Sequence, residues 1–66
     1  MAVAKTIELS STSTVSFDDA LKIGIARADK TLKNVSGAWV KDMKISVTDG
    51  AITEYRVHML VTFVLE

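Results

Sequence analysis

The sequence has no cysteine, no proline and no net charge, and these absences remove whole classes of protein. Without cysteine there is neither a disulfide framework nor a thiolate metal site. The single histidine, His58, is too little for a zinc cluster. Eight basic side chains balanced by eight acidic ones leave no basic excess for phosphate backbones, which argues against a nucleic-acid partner. Apolar runs are only a few residues long, far short of a membrane span. Met1 to Leu9 shows neither a basic leader nor an apolar signal core. A soluble cytoplasmic protein is expected. With 48% apolar residues the chain is also not a candidate for disorder.

Size is the other shortage. The 66 residues are expected to form a single domain, 1–66, and a lone domain of that length buries only about 60% of its unfolded surface. With disulfides and thiolate sites excluded, partner subunits are the remaining route to a complete core.

What is present reads as three strands and a helix. Val3 to Leu9 alternates with period two, as a strand does. Ser10-Ser11-Thr12-Ser13-Thr14 then favours a turn, because hydroxyls compete for nearby backbone groups. Ser16 followed by Asp19 resembles an acidic capping box, and Leu21, Ile25, Ala28, Leu32 and Val35 recur at helical spacing. The helix is expected over Ser16 to Asn34. Gly24, inside it, costs about 1 kcal/mol relative to alanine, so close approach of another backbone is expected there, with a neutral surface glycine as the alternative.

Gly37 to Val47 and Ile52 to Leu65 supply the other strands, and Asp49-Gly50 between them is a strong hairpin signal. Tyr55, Val57, Met59, Val61, Phe63 and Leu65 share one face, expected to lie against the helix. Ile52, Glu54, Arg56, His58, Leu60, Thr62 and Val64 form a mixed opposite face, apolar enough to mark an interface. The expected fold is α+β, a β-α-β-β protomer with one helix on a three-stranded antiparallel sheet.

Chemistry of turnover finds little support. No nucleophile-elbow pattern, phosphate-cradling glycine loop or calcium-loop spacing occurs. His58 reads as a strand histidine hydrogen-bonded at an interface. The chain is expected not to be an enzyme, with no catalytic residue and no metal ligand. Trp39 is more telling, since indole stacks on planar ligands and also packs interfaces. Alternation puts it on one face with Gly37 and Lys41, where the glycine leaves room beside the ring. Arg56 carries a planar fork suited to a carboxylate, a phosphate or an aromatic face, or to an intersubunit salt bridge with Glu8, Glu54 or Asp42.

In order and spacing, several runs resemble the dodecins over essentially the whole chain. They are Lys5-Thr6-Ile7-Glu8-Leu9, Thr12-Ser13, Ser16-Phe17-Asp18-Asp19-Ala20, Ala26-Arg27-Ala28, Lys30-Thr31-Leu32-Lys33-Asn34, Asp49-Gly50, Glu54-Tyr55, Val61-Thr62-Phe63 and Leu65-Glu66. The resemblance implies a hollow homododecamer of 23 symmetry, a sphere of about 86 kDa from twelve chains of 7.2 kDa. It also implies paired flavins such as FMN, riboflavin or lumichrome at the two-fold axes, held for storage and photoprotection. Some members bind coenzyme A, and some bind calcium without flavin. Gly37 stands where flavin-binding members have the stacking tryptophan, and Arg56 stands where they have a glutamine that bonds the flavin edge. Trp39 is displaced by two residues, about 6.5–7 Å along a strand. An altered or weakened flavin site is therefore expected, lined by Trp39, Arg56, Gly37 and Lys44, or a site for another anion, or none.

Overall fold

A computed structural model describes residues 3–65. Strand β1 spans Val3–Ser13, helix α1 Phe17–Thr31, strand β2 Val35–Thr48 and strand β3 Ala51–Leu65. The sheet is antiparallel in the order β1-β3-β2, so the last strand lies in the centre and the strand bearing Trp39 is an edge.

β1 runs four residues beyond the expected end at Leu9. The hydroxyl run does not turn, because β3 is long enough to pair with it: Ser10, Ser11, Thr12 and Ser13 face His58, Val57, Arg56 and Tyr55. Ladder bonds thus outcompete the local ones. Ser13 ends the strand by donating to Asp19 Oδ2 at 2.5 Å and accepting from the Val15 N–H at 2.9 Å. Ser16 caps α1 as expected, its Oγ accepting from the Asp19 N–H at 3.0 Å. The reciprocal half of a capping box is not made, since the Asp19 carboxylate holds Ser13 instead. The helix stops at Thr31, short of the expected Asn34, which adopts a left-handed φ of 62°. Asn34 also ties the connection to β3, its carbonyl accepting from the Val64 N–H at 3.1 Å.

The β2–β3 turn matches its signal. Asp49 and Gly50 have φ of 53° and 78°, the pair of positive values that a two-residue type I′ hairpin requires.

Val57, Met59 and Val61 of β3 are fully buried beneath α1, as the unbroken odd set implied. The helix approaches through small residues, with Ala20, Gly24 and Ala28 buried along one line. Leu21, Ile25 and Leu32 are half-buried flanks of the same core. Gly24 is no neutral surface position. A Cβ there would sit 2.7 Å from Met59 Cε, 3.1 Å from Ser11 Cβ and 3.3 Å from Leu9 Cδ1. What approaches is side chain rather than backbone, a correction to the expectation. Phe17 anchors the helix start, its ring edge-on to Tyr55 with centroids 5.2 Å apart.

This core is short. A 15-residue helix is about 22 Å long, while the molecule extends 51 Å in its longest dimension. The outer half of the β2–β3 hairpin lies beyond it. Met43, Ile45 and Val47 remain 49%, 47% and 56% exposed on the surface that elsewhere carries the helix. The register pairs Ile52 with Val47 on that same surface. It was expected on the mixed face beside Glu54, but an extra residue in β3, Thr53, shifts it across. The radius of gyration, 13.6 Å, exceeds the roughly 10.8 Å expected for a compact chain of this length. The protomer's shape is that of a part.

Candidate functional site

Among the described residues, no element covers the sheet face away from α1. Residues paired across a ladder share a face, so the register can be read as rows of side chains. One row runs Thr6, Thr62, Gly37; the next Glu8, Leu60, Trp39; then Ser10, His58, Asp42; then Thr12, Arg56, Lys44. All four residues singled out from the sequence, Trp39, Arg56, Gly37 and Lys44, therefore lie on one surface.

One irregularity in β2 decides this. Between Val40 and Asp42 the ladder slips by one residue, so Lys41 is the extra one. Strict alternation from Trp39 would place Lys44 on the helix side. The bulge returns it, with Asp42 and Ser46, to the face of Trp39, and sends Met43 and Ile45 to the other. A second slip lies between Val35 and Gly37. From Gly37 to Trp39 the pairing is regular, against Thr62, Val61 and Leu60. No bulge brings the indole closer to the Gly37 position, and the displacement of two residues stands.

Trp39 is 68% exposed, and nothing lies within 4 Å of where a Cβ on Gly37 would be. The indole thus stands on an open strip of edge strand with free space beside it. Arg56 Nη2 meets Glu54 Oε1 at 3.5 Å on its own strand, so one expected partner is taken within the chain. Lys44, directly across from Arg56, makes no ion pair among the described residues. From the Trp39 row to the Lys44 row is four residues of β3, Leu60 to Arg56, or about 13 Å.

Between them lies a charge cluster that sequence reasoning did not assign to the site. His58 Nε2 is 3.1 Å from Glu8 Oε2, and Lys41 Nζ is 3.5 Å from Glu8 Oε1. A carboxylate only accepts, so Nε2 carries the hydrogen. The hydrogen bond from His58, with the positive Lys41 nearby, holds the Glu8 carboxyl below its ordinary 4.5. Lys41, on the face where alternation from Trp39 places it, reaches across β3 to Glu8 of β1. His58 does have the hydrogen-bonded strand role expected, met inside the chain. No three His, Cys, Asp or Glu side chains among the described residues are arranged to hold a metal.

The chain is an α+β protomer with an open, indole-bearing sheet face and apolar surface that its own helix does not reach. The dodecin family model matches residues 3–66. A dodecin of Thermus thermophilus is 34% identical over 64 residues, covering 97% of this chain and 93% of that protein. A crystal structure from the same organism superposes with a TM-score of 0.94 at 33% identity, covering 100% of this chain and 97% of the other. The dodecin of Streptomyces davaonensis gives 0.93 at 31% identity over 98% of this chain and 96% of its own. A calcium dodecin of Mycobacterium tuberculosis, described as calcium-chelating, gives 0.82 at 28% identity over 97% and 91%. The chain belongs to the dodecin family and has its fold, and with it the family's character as small-molecule-binding proteins.

Proposed function

We propose that this protein sequesters flavin, FMN or riboflavin, inside a hollow homododecamer of 23 symmetry, as a cytoplasmic storage protein that binds without turnover. The observation that carries the ligand is the Trp39 indole, 68% exposed on a sheet face with an empty strip at Gly37 beside it. Two copies meeting face to face would offer two such indoles to a pair of planar rings, with Arg56 and Lys44 further along the same face. Because Trp39 sits two residues from the family's stacking position, the ring overlap changes. One aromatic pair is worth about 0.5–1.5 kcal/mol beyond area burial. Losing two such contacts per site weakens binding by roughly one or two orders of magnitude.

Assembly is supported by the surface α1 leaves bare. The chain exposes 4774 Å², against about 4,100 Å² for a monomer of its mass. Titration of apoprotein with riboflavin, FMN and lumichrome tests the ligand. Quenched flavin fluorescence is expected, and its absence at tens of micromolar ligand, on the order of a weakened site, contradicts the reading. A second reading rests on the relative described as calcium-chelating. In it the shell is colourless and takes calcium, or an anionic ligand other than flavin such as coenzyme A, or is purely structural, with Trp39 and Arg56 cementing contacts between copies.

A further inference from the structure

His58 and Asp42 are opposed partners on the central and edge strands of the open face, in the row that lies between those of Trp39 and Arg56. We infer that the His58–Asp42 pairs of two facing copies form one four-ligand site for a borderline divalent cation of the zinc class. The inference rests on the face-to-face pairing proposed above and not on the flavin.

Tautomer, spacing and charge carry it. His58 Nε2 lies 3.1 Å from Glu8 Oε2, and the carboxylate only accepts, so Nε2 carries the hydrogen. In the neutral ring Nδ1 then keeps its lone pair, and nothing among the described residues bonds it. A carboxylate behind the opposite nitrogen is how metal-binding histidines are held in tautomer and orientation. Glu8 is itself tied to Lys41 Nζ at 3.5 Å, so it is a support and not a ligand. Directly opposed side chains on a sheet have Cβ atoms about 4.5–5.5 Å apart, near enough for the Asp42 carboxylate and the His58 ring to meet one ion. Asp42 has neither an ion pair nor a hydrogen bond among the described residues. One chain thus supplies two ligands, and no group of three is found within it. A two-fold through the middle of the face doubles them to two imidazoles and two carboxylates, a tetrahedral set whose charge balances a divalent ion. Two nitrogen and two oxygen donors suit zinc, whereas calcium takes about six to eight oxygens. Stacked sheets pack about 10 Å apart, so facing His58 side chains that share an ion leave no room for a ring pair in their row. The site belongs to the flavin-free shell.

The test uses purified, flavin-free protein dialysed against chelator, then titrated with zinc chloride by calorimetry and with cobalt(II) chloride by visible absorbance. About one ion for every two chains is expected, with the strong visible bands of four-coordinate cobalt. Calcium chloride should leave those bands unchanged. His58→Ala and the isosteric Asp42→Asn should each abolish the bands while sedimenting as the unaltered protein does. Glu8→Ala should keep the bands and raise the zinc dissociation constant about 10–100-fold. Zinc that does not bind, that binds once per chain, or that binds undiminished in both ligand variants overturns the site, as do cobalt bands displaced by calcium. Sedimentation separates the premises. A lone protomer ends the assembly and the site with it, whereas an intact assembly that takes no zinc ends the cation site alone.

Discussion

The two ends of the β2–β3 hairpin differ in what covers them. Near Met59 the sheet meets a helix through Ala20, Gly24 and Ala28, and side chains there are fully enclosed. Toward the turn the same sheet surface continues as Ile45, Val47 and Ile52, about half exposed, with no helix above. Residue type does not distinguish them, since both ends are aliphatic. Reach does: α1 ends after about 22 Å of a surface more than twice as long. One end is finished by the chain itself. The other is the surface left for the copies of the proposed assembly to finish.

Breaking that contrast has its largest effect at the uncovered end. The double variant Met43→Asp, Ile45→Asp should reduce the light-scattering mass from an assembly to a single protomer, because each charge would otherwise lie desolvated against a neighbour. A shell of unchanged mass would mean that this surface faces solvent. At the covered end Met59→Ala opens a cavity and should lower stability by about 2–5 kcal/mol, read from urea midpoints at fixed protomer concentration. A loss as small as that of a surface change would show the helix-side core to be loosely packed. Ser16→Ala removes the cap on the Asp19 N–H and should cost about 1 kcal/mol by the same measurement.

The smallest effect belongs to Glu8, on the open face. Its carboxyl is held below 4.5 in the folded protein by the His58 hydrogen bond and by Lys41. A lowered native value makes its contribution complete above the unfolded range and lost as pH falls through the folded value. Urea midpoints should therefore decline below about pH 4.5 more steeply in the unaltered protein than in Glu8→Gln. Parallel acid limbs would show the Glu8 cluster to be without consequence.

How far the sequence predicted this structure depends on whether a feature was local. The hairpin was legible because Asp49-Gly50 matches the backbone its turn needs, and the buried face of β3 because period two runs unbroken from Tyr55 to Phe63. The shifts at Lys41 and Thr53 were not, since no glycine or proline sits at either, and Gly37 beside the shift at Ser36 is the one local sign of an irregularity. The one at Lys41 decides the site: without it, Lys44 would be on the far side from Trp39. The hydroxyl run from Ser10 to Ser13 has the local pattern of a turn, and its strand pairing is supplied by residues over forty positions away. The buried line Ala20, Gly24, Ala28 was obscured by larger apolar neighbours that stand at its flanks. Trp39, Gly37, Arg56 and Lys44 were nameable as residues, while their common surface was visible only in the register.

Sedimentation of the purified protein at working concentrations shows whether copies of the chain close the uncovered sheet surface. One species near twelve protomer masses is expected, with no folded single chain beside it. A stable, well-folded protomer of 7.2 kDa sedimenting alone would contradict it.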